Sequence, residues 1–128
     1  MGIHQSMSSF ILNITFDSAD PQAQAAFWSA VTGYPASDGT RPGNPFWLVA
    51  PPPDEDGPRL AFVPSSEPKN AKNRVHVDIV PRDSSQAAEM NRLTALGASV
   101  VDDRRTWEGA GWVVLADPEG NEFCLEGD

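Results

Sequence analysis

The stretch RVHVD carries three polar side chains with the chemistry of a functional site. Arg74, His76 and Asp78 alternate with valines, so a strand here would place all three on one face. His76 could bind an anion or shuttle a proton, because an imidazole titrates near neutral pH. It could equally be a structural histidine that is hydrogen-bonded to a carboxylate across the sheet. Asp78 could serve as an acid or base, or it could anchor the preceding linker through Lys72 or Arg74.

The stretch FILNITFDSAD (10–20) carries a matching polar stripe near the start of the chain. Asn13, Thr15 and Asp17 alternate with apolar residues, again with the period of a half-buried strand. Asn13 and Thr15 are candidates for contact with a ligand, whereas solvation at the surface is the expected role of Asp17. The two stripes therefore predict two strands that each present polar groups on one face.

Two tryptophans occupy matching places in the segments NPFWLVA (44–50) and GAGWVVLAD (109–117). The ring of Trp47 or of Trp112 could line a cavity and stack on a planar ligand. A plain structural role is an equal alternative for each ring. Trp107 lies in a glycine-bearing loop that could cover the mouth of such a cavity.

The composition restricts the classes of protein to which this chain can belong. Its 128 residues fit a single domain, predicted over 1–128, and 40% of them are apolar. A net charge of −9 repels phosphate backbones, so nucleic acid is not an expected partner. The single cysteine cannot form an internal disulfide, and no apolar run is long enough to span a bilayer. We therefore expect a cytoplasmic protein without a membrane partner.

The pattern of strands and helices repeats once along the chain. The first copy covers about residues 9–64, a polar linker covers 65–73, and the second copy covers about residues 74–126. In each copy a strand leads into a helix, and strand-forming segments and an acidic turn follow the helix. The acidic turns are PDEDGP and DPEGN, and each precedes a short closing strand.

Sequence signals set the ends of both predicted helices. Asp20 can cap the first helix ahead of Pro21, and Gly33 ends it. In the second copy Asp83 can cap the helix, and Gly97 ends it. One copy is too small to bury the face of its own sheet, so the two copies are expected to pair. The predicted fold is α+β, with two β-α-β-β-β modules that form an incomplete mixed β-barrel and with the helices outside.

Several short motifs mark a resemblance to a known superfamily. They are Asp20-Pro21, AFW (26–28), HVD (76–78) and the ending DPEGNEF (117–123). Together with the repeat, they resemble the vicinal oxygen chelate superfamily, which includes glyoxalase I, bleomycin-resistance proteins and extradiol dioxygenases. Within it, the chain is most similar to the bacterial glyoxalase-like domains. The resemblance implies the predicted fold but no particular substrate, because this scaffold hosts many chemistries.

The resemblance also implies a place where a metal ion could bind. In metal-dependent members, the first and last strands of each module supply one ligand each, and these positions fall on Asn13, Ala61, His76 and Cys124. His76 alone is an ordinary ligand for the ions of this superfamily, and Ala61 has no donor atom. We therefore expect no metal cofactor, and specifically no magnesium, manganese, nickel or iron. A divalent ion held by His76 and Glu126 is the alternative.

Cys124 stands where similar sequences usually have a metal-binding glutamate. Its thiolate would suit zinc or copper, but a small apolar filler inside the sheet is its expected role. Glu126 lies two residues further on and shares the face of Cys124. A shift of strand register could bring the Glu126 carboxylate toward His76.

Together with the resemblance, these features predict a glyoxalase/bleomycin-resistance-like protein that binds a small, planar molecule in a concave sheet cavity. The candidate ligand-binding residues are Asn13, Thr15, Trp47, His76, Asp78, Trp112 and Cys124. The alternative is a metal-dependent lyase, isomerase or dioxygenase of the same superfamily, in which His76 serves as a metal ligand or as a base. A homodimer is expected, because unpaired sheet edges are usually covered.

Overall fold

Two β-α-β-β-β modules follow one another along the chain, as predicted. The computed structural model describes residues 7–108 and 110–127. The first module consists of β1 (Asn13–Ser18), α1 (Pro21–Thr32), β2 (Ala36–Asp38), β3 (Trp47–Val49) and β4 (Arg59–Pro64). The second module consists of β5 (Asp78–Ile79), α2 (Gln86–Leu96), β6 (Ser99–Asp103), β7 (Val113–Ala116) and β8 (Glu122–Leu125). The two halves therefore have the same order of elements.

Each module forms one four-stranded mixed sheet. The strand order is β1-β4-β3-β2 in sheet 1 and β5-β8-β7-β6 in sheet 2. The β1–β4 and β5–β8 pairs are parallel, and the other pairs are antiparallel. Over the described residues both sheets stay open, and the strands form no closed barrel. In the same part of the chain, β1 and β5 each pair with one neighbour and lie at the edge of their sheets.

The first strand is shorter than the sequence pattern predicts. β1 begins at Asn13 rather than at Phe10, because its partner β4 begins at Arg59, directly opposite Asn13. Residues 7–12, the described part of the chain before this point, have no neighbouring strand with which to pair. Phe10 and Ile11 are accordingly 79% and 80% exposed.

Helix α1 begins and ends where the sequence signals predict. The carboxylate of Asp20 accepts a hydrogen bond from the N–H of Ala23 at 3.2 Å, and Pro21 is the first helical residue. Gly33 follows the helix with a φ of +77°, a conformation that costs little for a residue without a Cβ. These signals act within one turn of the chain, which is why the sequence alone reveals them.

Helix α2 ends at Gly97 as predicted, but it begins differently. Ser85, and not Asp83, is the capping residue, and its hydroxyl accepts a hydrogen bond from the N–H of Ala88 at 3.1 Å. A cap must directly precede the first helical residue, and Asp83 lies too early for that. Among the described residues, neither helix has the length and apolar character that crossing a membrane requires.

Both sheets and both helices share one hydrophobic core. Ile14 and Phe16 of β1 pack against this core, whereas Thr15 between them is exposed on the other face. Trp28 of α1 lies deep in the core, with ring centroids 6.1 Å from Phe16 and 5.0 Å from Phe123. Phe123 belongs to β8, so the aromatic contacts of α1 join the two modules.

A buried carboxylate also joins α1 to the second module. Asp117 is 3% exposed and lies in the turn between β7 and β8. Its Oδ2 accepts hydrogen bonds from Gln24 Nε2 at 2.8 Å and from Trp28 Nε1 at 3.0 Å. Its Oδ1 accepts from the backbone N–H groups of Glu119 and Asn121, both at 2.9 Å. These donors stabilise a charge whose burial would otherwise be costly.

Side chains of the second module cap both ends of α1. At the N-terminal end, the Glu119 carboxylate accepts hydrogen bonds from the N–H groups of Ala19 and Asp20 at 2.8 and 3.0 Å. At the C-terminal end, the Arg92 guanidinium donates to the carbonyl of Ala30 at 2.8 Å. A negative charge at the start of a helix and a positive charge at its end both complement the helix dipole.

Replacing Asp117 with alanine should lower the free energy of unfolding by roughly 3–5 kcal/mol, because Gln24 and Trp28 would lose their shared acceptor inside the core. Denaturation of the purified variant with urea measures this change. Asp54→Ala is the matched control, since Asp54 is exposed in a turn and should contribute less than about 0.5 kcal/mol. Equal effects of the two substitutions would contradict the role of Asp117.

Candidate functional site

One face of sheet 2 is turned away from the core. Asp78 lies directly opposite Cys124 in the β5–β8 pair, and Val114 lies opposite Cys124 in the β7–β8 pair. Directly opposed residues point to the same face of a sheet. Phe123 and Leu125, which flank Cys124, are fully buried in the core on the opposite face. The face of sheet 2 that carries Cys124 is named the site face below.

His76, Asp78 and Cys124 come together on the site face. Nε2 of His76 lies 3.4 Å from Oδ1 of Asp78. The potential metal-ligand atoms of all three side chains lie within 4.8 Å of one another. The side chains of His76 and Asp78 are 50% and 58% exposed, whereas Cys124 is 8% exposed. A nitrogen, an oxygen and a sulfur donor therefore meet at one place, with the sulfur at its base.

A cavity of about 460 Å³, named the site cavity below, adjoins this cluster. Its border includes Lys72, His76, Asp78, Trp112, Cys124 and Glu126. Four of the predicted ligand-binding residues therefore share one cavity. The indole of Trp112 forms an aromatic part of the cavity border. The guanidinium carbon of Arg104 lies 5.6 Å from the centroid of the Trp112 ring.

A second cavity, of about 630 Å³, lies between β1 and the segment that precedes β5. Thr15 and Asp17 border it from the first module, and Arg74 and His76 border it from the second. His76 therefore borders both cavities, whereas Thr15 borders only this larger one. Glu122 also borders both, so the imidazole of His76 and the carboxylate of Glu122 are the groups through which the two cavities could share a ligand.

Asn13 and Trp47 do not join these residues. Asn13 lies at the start of β1 and borders neither of these two cavities. Trp47 lies opposite Phe62 in the β3–β4 pair and packs against the hydrophobic core. The indole of Trp47 is thus on the core face of sheet 1, whereas that of Trp112 borders the site cavity.

Acidic side chains surround the thiol of Cys124. Burial raises the pKa of this thiol above its usual value, and the negative charges of Asp78, Glu126 and Glu122 raise the pKa further. Glu122 is paired with Lys72, at 2.7 Å between Oε1 and Nζ, and this hydrogen bond lowers the pKa of Glu122. The thiol is therefore protonated at neutral pH, in a place where negative charge is in excess.

Glu122 is a site-face residue that the sequence analysis missed. It lies two residues before Cys124 on β8, and this spacing places both side chains on one face. The linker residue Lys72 pairs with Glu122, and not with Asp78 as one interpretation of the sequence proposed. The path of a polar linker follows no periodic pattern, so the sequence could not have indicated this partner.

The hard divalent ion that the resemblance implies does not fit these residues. Two of its four positions, Asn13 and Ala61, belong to sheet 1, whereas His76 and Cys124 belong to the second module. Ions such as Mn²⁺ and Mg²⁺ prefer carboxylate and carbonyl oxygens, and here a sulfur atom holds the last-strand position. The three donors that do meet include Asp78, which the resemblance did not implicate.

The sequence pattern of the family described as Glyoxalase-like domain matches residues 13–126, which include both modules and the whole site face. The chain belongs to this family. Membership confirms the predicted resemblance to the vicinal oxygen chelate superfamily. The comparison with curated proteins finds no match.

Solved structures share the fold of this glyoxalase-like domain. A possible glyoxalase from Bacillus cereus is 24% identical, with a TM-score of 0.64 over 93% of this chain and 99% of that chain. A glyoxalase/bleomycin resistance protein/dioxygenase superfamily member from Sphaerobacter thermophilus is 18% identical, with a TM-score of 0.66 over 93% and 97%. A mutant of the fosfomycin resistance protein FosX from Listeria monocytogenes, complexed with Mn(II), is 20% identical, with a TM-score of 0.64 over 94% and 90%. At these identities the likeness establishes the fold.

The Cys124 thiol of the glyoxalase-like domain should react slowly with iodoacetamide at neutral pH, about tenfold or more below the rate in the urea-unfolded chain. The reason is that burial and acidic neighbours keep the pKa of the thiol high, and only the thiolate reacts. Mass spectrometry of timed samples across a pH series measures the rate. Glu126→Gln should shift the rate profile to lower pH, whereas the matched control Asp17→Asn should not. Equal rates in folded and unfolded protein would contradict the burial of this thiol.

Proposed function

We propose that this protein binds a small, planar molecule in the site cavity, as a cytoplasmic binding protein that uses no magnesium, manganese, nickel or iron. The observation that carries the proposal is the convergence of His76, Asp78, Trp112 and Cys124 around one cavity. A ligand pocket typically combines an apolar or aromatic wall with a few polar groups that fix the orientation of the ligand. The site cavity has both parts.

The indole of Trp112 supplies the stacking surface for a flat ligand. Trp112 is 40% exposed and borders the site cavity, so part of its ring is open to a ligand there. Arg104 lies over the ring, and such a contact holds the indole plane in place. The remaining exposed surface of the ring favours an aromatic or conjugated molecule, because stacking rewards flat partners.

The polar groups of the site cavity determine which flat molecules suit it. His76 can donate a hydrogen bond to an acceptor oxygen of the ligand, and Asp78 and Glu126 can accept from a ligand hydroxyl or amine. Along the border of the cavity, the carboxylates outnumber the two basic groups, Lys72 and His76. Weakly polar molecules with one acceptor and one donor are therefore the preferred class, ahead of strongly anionic ones.

Para-nitrophenol and para-nitrobenzoate are suitable probes, because they are flat and quench indole fluorescence. Both should quench the protein's fluorescence saturably, and Trp112→Phe should remove most of this quenching. His76→Ala should weaken the binding of para-nitrobenzoate by about 1.5–3 kcal/mol, since a hydrogen bond to a charged group would be lost. His4→Ala, which changes the other histidine of the sequence, is the matched control.

Two results would count against the proposed site. One is an affinity for para-nitrobenzoate that is the same in His76→Ala as in the unaltered protein. The other is quenching that Trp107→Phe removes as fully as Trp112→Phe does, since Trp107 does not border the site cavity. Circular dichroism of each variant confirms that the fold is intact before the affinities are compared.

A second copy of this chain is the proposed protein partner. Within the described residues, β1 and β5 are edge strands, and exposed edges invite pairing with another chain. Apolar residues that are at least half exposed lie beside both edges: Phe10, Ile11 and Leu12 ahead of β1 and Val75 ahead of β5. A two-fold symmetric dimer that covers these side chains would remove them from water without any further partner.

The protein should therefore have the mass of a dimer in light scattering at micromolar concentration. Ile11→Asp should shift the mass toward that of a monomer, because a charge would be buried in the interface. Val101→Asp is the matched control, since Val101 is also exposed on an edge strand, β6, which lies at the opposite edge of sheet 2 from β5. A monomer mass for the unaltered protein, or dissociation by Val101→Asp alone, would refute the proposed interface.

A further inference from the structure

We propose that His76, Asp78 and Cys124 bind one zinc ion, with a fourth coordination position open to the site cavity. The proposed metal differs from the hard ion that the resemblance implies, because the donors that meet here are a nitrogen, an oxygen and a sulfur. The inference adds a metal ion to the proposed function. It rests on that function only for the identity of the ligand at the fourth coordination position. Binding of the ion itself needs no organic ligand.

The donor set selects the class of metal. Zinc accepts imidazole, carboxylate and thiolate ligands in one tetrahedral site, and three protein ligands with one open position are usual where zinc meets a substrate. Magnesium and manganese prefer sites built from oxygen atoms and gain little from a thiolate. The Cys124 sulfur therefore gives the site a preference for zinc over the ions that carboxylate sites hold.

The separation of the three donors suits a zinc ion. Donor atoms around one tetrahedral zinc lie roughly 3.3–3.8 Å apart, given bonds of about 2.0–2.3 Å. The potential ligand atoms of His76, Asp78 and Cys124 are already within 4.8 Å of one another. Small side-chain rotations would shorten these distances to those around a zinc ion. Asp78 and Cys124 lie directly opposite each other in the β5–β8 pair, which fixes two of the three donors on paired strands.

The electrostatics of the site face favour a cation at this place. Asp78 and Glu126 border the site cavity, and Glu122 is the one carboxylate there that is paired with Lys72. The negative charge that remains attracts a divalent ion and opposes ionisation of Cys124 in its absence. When zinc binds, the S–H bond of Cys124 breaks, its proton passes to solvent, and the sulfur electron pair forms the bond to zinc.

The open position would face the site cavity, which Trp112 also borders. A ligand that stacks on Trp112 can place an oxygen atom at the zinc, as water would do when the cavity is empty. The Glu126 carboxylate, which borders the same cavity, is the protein group that competes for this position. An ion at this point would therefore select flat molecules with an exposed oxygen donor.

The test measures zinc binding to the full chain by competition with a chromophoric chelator, and cobalt binding by absorption. We expect about one zinc ion per chain, and a thiolate-to-cobalt charge-transfer band when Co²⁺ is added. Cys124→Ser should abolish that band and weaken zinc binding about tenfold or more. His76→Ala and Asp78→Asn should also weaken zinc binding, whereas the matched controls His4→Ala and Asp102→Asn should leave it unchanged.

Three outcomes would overturn the inference: no saturable zinc binding, a cobalt complex without the charge-transfer band, or zinc binding that Cys124→Ser and His76→Ala leave intact. Tighter binding of Mn²⁺ than of Zn²⁺ would also overturn the inference. Asp78→Asn keeps the test decisive if Cys124→Ser fails to fold, because Asp78 is largely exposed. The para-nitrophenol titration separates the two proposals, since zinc binding without quenching would leave this inference standing and refute the proposed function.

Discussion

The carboxylate of Asp117 sets the geometry on which the rest of the molecule depends. Through Gln24 and Trp28 it ties α1, an element of the first module, to the turn that leads into β8. Two backbone N–H groups of the same turn bind its other oxygen and so fix the turn itself. β8 begins at Glu122, so the position of Cys124 follows from that of the turn. One buried and fully bonded charge thus sets both the packing of the modules and the base of the site.

Strand β8 serves two environments at once. Phe123 and Leu125 complete the core beneath α1, while Cys124 and Glu126 point to the site cavity. Because side chains alternate along a strand, the packing of the core also fixes the register of the site, and a slip of one residue would exchange the two sets. The sulfur donor therefore has a rigid base, whereas the half-exposed imidazole of His76 keeps rotational freedom.

Much of this arrangement could be predicted from local patterns, and the exceptions have physical causes. The period of two predicted a common face for His76 and Asp78, and the two side chains do meet, although β5 begins only at Asp78 and His76 precedes it. Both ends of α1 followed from capping residues. The match between Trp47 and Trp112 left open which ring borders a cavity, because the two strands differ by one residue in phase. In β3 the tryptophan itself packs in the core, whereas in β7 the core residues begin one position after Trp112. The start of β1 also depended on its partner strand, which no local pattern encodes.

The capping of α1 by the second module has a consequence for folding. Ser18, directly ahead of α1, donates to a Glu119 oxygen that lies 101 residues further along the chain. On the ribosome the helix emerges long before the turn that carries Glu119, so the N–H groups of Ala19 and Asp20 stay bonded to water until that turn has been synthesised. Contacts of such sequence separation raise the contact order and slow the search for the native state. The first module therefore reaches its final packing only when the turn that carries Asp117 and Glu119 is available to bind it.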